Sequence, residues 1–294
     1  MANTIISVTE LANRSVDYLE RQRGLVNTLW TDAVSEAVAM RKGETVNVAA
    51  PPSFTAAAYS GSTYTLQDIN QSTVAVALNK DYVVPVGISS REFGASANDI
   101  EENVIIPAMD ALLKQMDADV ITEFANYTPT DIAESTGSMD IAQLEKGLAA
   151  LMANDVPGNG LHAAISHLDA SSMRQQQGVY SQDINRLNNN RSTNVAPYAG
   201  IDIFGTSAIS SSGAAVANWL YHEQSATVAM RPLDIPTGPG VEIGSANYKG
   251  MAVTITKQWN KDTQGWEWVF RALYGVKLLN AAAGIKIITD GSGD

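Results

Sequence analysis

TVNVAAPPSFTAAAYSGSTYTLQDINQSTVAVALN, residues 45–79, is the stretch whose reading decides the fold. Across these 35 residues Asp68 is the only charged side chain. Thr45-Val46-Asn47-Val48 alternates polar and apolar, as a strand with one buried face does. Pro51-Pro52 stops that alternation, and Ser53 to Thr65 is too small and polar to form a core of its own. Val74, Val76 and Leu78 then alternate again, so the stretch reads as a strand, a neutral tip and a returning strand. A two-stranded ribbon with so few large apolar residues cannot stand alone in water. Exposed sheet edges normally carry Lys or other charges that prevent pairing with neighbours, and those guards are missing here. Either the ribbon packs on its own domain or it is laid on a neighbouring subunit. On the second reading Phe54, Tyr59 and Tyr64 are the candidate inter-subunit contacts, because aromatic residues dominate interface energetics, with Asp68 as the one charge at that contact.

Composition points the same way. Charged residues are 17% of the 294-residue chain, against about 25% for a typical domain, as expected where subunit contacts hide surface from water. No cysteine is present, which excludes disulfides, thiolate metal sites and cysteine nucleophiles. The net charge of −12 argues against general nucleic-acid affinity. No apolar run approaches the roughly 20 residues needed to span a bilayer, and Met1-Ala-Asn-Thr-Ile-Ile-Ser has the form of no secretory signal. The charge is concentrated: between Asp99 and Glu145 there are eleven acids and one base, Lys114. That segment is either a solvated helix face or a docking or repelling surface.

Upstream of the ribbon, residues 8–40 read as helical. Val8, Leu11, Ser15 and Leu19 share one face, Leu25, Leu29 and Trp30 continue the stripe, and Thr31 is placed to cap a second short helix. Downstream, Tyr82–Ser89 reads as a strand. Ser96-Ala97-Asn98-Asp99 has the form of a capping box before the longest helix, whose stripe is Met109, Leu112, Met116, Val120 and Phe124. Asp110, Asp117 and Glu123 fall largely off that stripe, and Pro107 is expected to kink the helix. Asp140 is expected to cap a helix carrying Leu144, Leu148 and Leu151. Further expectations are a strand at 161–167, a helix capped by Asp169, a mobile loop at 175–194, a strand at 201–204, an extended run at 219–230 and a Pro/Gly loop at 231–240. Met251, Val253 and Ile255 alternate on one arm of a final hairpin and Trp266, Trp268 and Phe270 on the other, before a last strand through Ile285 and Ile287.

No reaction chemistry emerges. His162 and His167 sit on opposite faces of the expected strand and His222 stands apart, so no shared metal site is expected. Phosphate loops and nucleophile elbows are absent. Asp117 and Asp119, two apart on a helix, do not face one another. No cofactor is implied, and the chain does not read as an enzyme.

The order of parts is informative: a helical arm, an uncharged ribbon, a strand, a long acidic helix, a compact α/β block and a return of strands. With Lys42-Gly43-Glu44-Thr45-Val46 leading into the ribbon, Pro107-Ala108-Met109-Asp110-Ala111-Leu112 in the long helix and Arg271-Ala272-Leu273-Tyr274-Gly275 near the end, the chain resembles the major capsid protein of tailed bacteriophages. The resemblance is to the podophage coat-protein-like branch of the fold shared with the herpesvirus capsid floor. It implies an α+β fold with residues 1–43 as N-terminal arm, 44–80 as extended E-loop, 81–138 with 246–294 as peripheral domain containing the spine helix, and 139–245 as axial domain. It implies self-assembly into pentamers and hexamers forming an icosahedral shell around phage DNA, in virions assembled in the host cytoplasm. A separate scaffolding protein, a portal and a decoration protein are the implied partners, with no sequence-specific nucleic-acid binding and no membrane. Asp110, Asp117, Asp119 and Glu123 become the candidates for an acidic face turned to the shell interior or the scaffold. Some family members weld their shells through an E-loop lysine. Residues 45–79 contain none, so no such cross-link is expected. An encapsulin-type compartment, a tail component and an unrecognised hydrolase are the alternatives.

Overall fold

A computed structural model of the chain describes residues 8–21, 24–30, 45–49, 55–56, 58, 73–89, 104–133, 137–180, 195, 197–210, 215–233, 235, 238, 240–248, 251–262 and 264–290. The expected second helix near residues 31–40 and the capping box at Ser96–Asp99 lie outside them.

Helix α1, Val8–Arg21, buries Val8, Leu11, Ala12, Ser15, Val16 and Leu19, the three- and four-residue spacing of an amphipathic helix. The stripe does not continue as helix. The chain is extended at Gly24, and Leu25–Thr28 forms a single 3-10 turn. At Gly24 it approaches the long helix so closely that a Cβ would lie 2.8 Å from Leu113 Cδ1.

Two sheets form the body. The first has the order β3-β11-β10-β9, where β3 is Lys80–Ser89, β9 Val241–Tyr248, β10 Met251–Asn260 and β11 Gly265–Leu278. Strand β11 pairs with β3 along one edge over Gly265–Tyr274, and its other edge is shared by β10, over Gly265–Arg271, and β8, Ala226–Arg231, over Leu273–Leu278. The expected hairpin is present, with Ile255 opposite Phe270 and Trp259 opposite Trp266. Its inner face, including Val253, Ile255, Trp268, Phe270 and Tyr274, forms one core with α1 and the long helix α2, Ile106–Phe124. At the hairpin's far end that cover stops. Trp259 is exposed, packed edge-on against Trp266 at 5.3 Å.

Pro107, expected to kink or locally break the long helix, lies at a change of helix type. It is the second residue of α2, just after a π-helical turn at residues 104–105, so the α-helix proper begins beside the proline.

The second sheet runs β4-β12-β7-β5-β6: β4 is Ile132–Ala133, β5 Leu161–Ile165, β6 Ile201–Gly205, β7 Val216–His222 and β12 Gly284–Thr289. Helix α3, Ile141–Ala153, covers one face, approaching closely at Gly147 beside Leu220 and Ile287. The other face meets the end of α2, with Phe124 4.7 Å from the Tyr221 ring. The expected run at 219–230 is broken by a 3-10 turn at Glu223–Ser225 that carries the chain from one sheet to the other. β8 and β9, the latter spanning residue 246, belong to the first sheet, and β12, at the end of the chain, belongs to the second.

Helix α4, His167–Tyr180, extends into the segment expected as loop. Its cap is Ser166, not Asp169. Ser166 Oγ accepts from the Asp169 N–H at 3.1 Å and donates to Oδ2 at 2.8 Å. Asp169 is fully buried and also accepts from the Met139 N–H, Asn218 Nδ2 and Thr289 Oγ1 within 2.9 Å. Four separated segments are thereby tied by one carboxylate.

Candidate assembly ribbon and its root

The root of the ribbon is the two-stranded sheet expected from the alternation. β1, Thr45–Ala49, pairs antiparallel with β2, Thr73–Ala77, Val46 opposite Val76 and Val48 opposite Val74. Val46, Val48, Val76 and Leu78 are buried against Ala229 of β8, with Trp30, Leu273 and Leu279 packed around them. Thr45, Asn47, Thr73, Ala75 and Ala77 are exposed. One face of the root is thus a valine seam on the first sheet, and the other is small and neutral. The tip candidates Phe54, Tyr59, Tyr64 and Asp68 lie outside the described residues.

Three contacts fix the root from below. At Gly275 a Cβ would overlap the Ala77 carbonyl, so β2 crosses β11 at a distance only glycine permits. Just past β2, Lys80 Nζ lies 3.4 Å from Asp119 Oδ1, and Tyr274 donates to Asp119 Oδ2 at 2.8 Å. On the outer face of β3, Arg271 binds Asp81 through both nitrogens of its fork, Nε at 2.8 Å. That pairing holds the Asp81 carboxyl below the usual range. The Arg271–Gly275 stretch, singled out in the sequence only as a local likeness, supplies three of the side chains or gaps on which the ribbon is seated. Lys80, Tyr274 and Gly275 had no role in the sequence reading, since each depends on partners at least 39 residues away.

The four carboxylates that are candidates for an interior- or scaffold-facing surface have different surroundings along α2. Asp110 is exposed and accepts from Tyr18 at 2.9 Å. Asp119 is bound at the ribbon root, and Glu123 lies 3.4 Å from Lys277. Asp117 is 8% exposed. Its placement off the apolar stripe is corrected, because residues 25–28 pack over that side of α2 and widen the buried face. Oδ1 of Asp117 accepts from the Val26 N–H at 3.4 Å. Burial pushes its carboxyl up to about 7, against the smaller opposing effect of the Val26 and Leu25 N–H groups.

His162 and His222 lie on the paired strands β5 and β7, and His167 lies apart from them on α4. His162 is on β5, where burial lowers its affinity for a proton. His167 opens α4, and His222 Nδ1 accepts from the Gln224 N–H at 3.1 Å. Among the described residues no group of three or more His, Asp or Glu side chains is arranged to hold a metal ion, and no helix is long and apolar enough to cross a membrane.

No family model matches the chain, and no curated protein matches it by sequence. Solved structures do match its shape. A chain of Mycobacterium phage Che8 superposes with a TM-score of 0.63 at 14% identity, covering 92% of this chain and 93% of its own. The capsid asymmetric unit of cyanophage Pam1 matches with a TM-score of 0.52 at 11% identity, covering 90% of this chain and 88% of its own. The virus-like particle from Pyrococcus furiosus matches with a TM-score of 0.52 at 13% identity, covering 95% and 97%. The mixed helix-and-sheet architecture is the fold of tailed-phage capsid proteins.

Proposed function

We propose that this chain is a shell-forming structural protein, the major capsid protein of a tailed phage, whose copies assemble as pentamers and hexamers around DNA. The observation that carries the reading is the ribbon. A two-stranded root, seated by a valine seam on a body of this fold and leading into a neutral stretch of small residues, has too little core to be there for its own stability. Its role is then to lie on the next subunit, adding backbone pairing and small-side-chain contacts, while the arm and ribbon absorb the differences between pentamer and hexamer surroundings.

In this reading residues 1–43 act as the arm and 44–80 as the E-loop. The first sheet with α2 is the peripheral unit, and the second sheet with α3 and α4 is the axial unit. A separate scaffolding protein, a portal and a decoration protein are the partners, and the virion is the location, with assembly in the host cytoplasm. Deleting Ser53–Asp68 is expected to leave a folded monomer that no longer closes shells. Negative-stain microscopy of wild type and deletion, each alone and with the scaffolding protein, checks this. Normal shells from the deletion would remove the ribbon from the mechanism.

The likeness to the virus-like particle keeps a second reading in play, a compartment that encloses protein instead of DNA. The contents of shells isolated from the native host separate the two: nucleic acid for a capsid, an enzyme cargo for a compartment.

A further inference from the structure

Residues 24–30 cross α2 as a strap. Leu25 and Val26 are buried, and the far end is tied by several hydrogen bonds. Trp30 N–H donates to the Glu223 carbonyl at 3.0 Å, the Trp30 carbonyl accepts from Thr227 Oγ1 at 2.8 Å, and Thr28 Oγ1 lies 2.6 Å from the Tyr221 hydroxyl. Under the middle of the strap is Asp117, whose contact to the Val26 N–H is long at 3.4 Å. The titratable groups around it are Tyr221 from β7, Tyr274 from β11 and Asp119 on the same helix. Lys80 of β3, the nearby cation, pairs with Asp119 rather than with Asp117. A carboxylate at this position loses water and has no cation beside it among the described residues, and the Val26 and Leu25 N–H groups of the strap offset only part of that loss.

We propose that Asp117 is a proton-responsive clasp: with its carboxyl protonated the strap 24–30 is held on α2, and ionisation loosens it. The strap links α1 to the ribbon along the chain, so the clasp sets how firmly the ribbon's upstream connection is fastened. The direction follows from proton binding. Burial raises the carboxyl to about 7 in the folded chain, against about 3.9 in an opened one. The ordered strap therefore binds the proton more tightly. The stability this adds is full below about pH 4 and is lost as pH rises through 7. The proposal goes beyond the shell reading and is measured on the unassembled chain, so either can fail without the other.

The test is hydrogen exchange followed by mass spectrometry on the purified full chain at pH 5 and pH 8, corrected for the intrinsic pH dependence of exchange. Protection of the 24–30 peptide is expected to fall on the order of 50-fold in wild type. It should fall less than about 3-fold in Asp117→Asn, while Asp119→Asn keeps most of the wild-type drop. A wild-type strap indifferent to pH, an Asp117→Asn chain that keeps the drop, or an Asp119→Asn chain that loses it would overturn the proposal. Should Asp117→Asn not fold, a carbon NMR titration of the wild-type Asp117 carboxyl decides. A midpoint near 7 supports the clasp and one near 4 sinks it.

Discussion

Gly275 lies where β2 passes over β11, and the space its missing side chain leaves is occupied by the Ala77 carbonyl. Any Cβ there must push β2 away, opening the seam of Val46, Val48 and Val76. Gly275→Val is therefore expected to lower stability by about 1–3 kcal/mol. Gly87→Val, on the open face of β3 with nothing within 4 Å of the added Cβ, should stay within about 0.5 kcal/mol of wild type. Urea unfolding of the two variants compares them directly. Equal losses would mean that the ribbon root is not seated at Gly275. The neighbouring residues of the same stretch, Arg271 and Tyr274, act on β3 and on Asp119 respectively. A five-residue likeness thus marks a junction whose parts are physically distinct: an ion pair, a hydroxyl donor and a gap.

At the scale of elements, local chemistry was legible and distant pairing was not. The Asp140 cap of α3 is present as expected, and the structure completes it as a capping box: Asp140 accepts from the Gln143 N–H at 2.7 Å, and Gln143 Oε1 accepts from the Asp140 N–H at 3.2 Å. Both partners lie within three residues, which is why sequence suffices. Asp140→Ala is expected to cost about 1 kcal/mol, seen as a lower midpoint in thermal unfolding, and Asp140→Ser should recover most of it. An unchanged midpoint for the alanine variant would show that packing of Leu144 and Leu151 alone holds the helix start. The alternations in Val74–Leu78 and Met251–Ile255 were likewise legible, since a buried strand face needs only its own side chains to declare itself. The sharing of one β11 edge by β10 and β8 was hidden, because strand order rests on contacts between segments far apart in the chain. Asp117 was misplaced for the same reason. Its burial depends on a strap 91 residues upstream, and nothing in the helix's own periodicity reports that cover.

At the scale of the whole molecule, the two sheets are interleaved through β8 and β12, with the end of α2 packed between them at Phe124 and Tyr221. The described part of the ribbon, its root, is fastened to this body by the valine seam. If it reaches a neighbouring subunit, what it can do there is limited by its chemistry. Residues 45–79 hold no lysine, and the nearest one, Lys80, is engaged at the root with Asp119. An amine within residues 45–79 for welding the ribbon to a neighbour's side chain is therefore lacking, and under the proposed function shells are expected to be held by burial and hydrogen bonds. Such contacts give way to denaturant, whereas an amide cross-link does not. Assembled shells dissolved in SDS without prior reduction are expected to run as a single-chain band, from young and aged preparations alike. A ladder of covalent multimers surviving boiling in SDS would refute this, and mass spectrometry of its linked peptides would then have to locate an amine outside the ribbon.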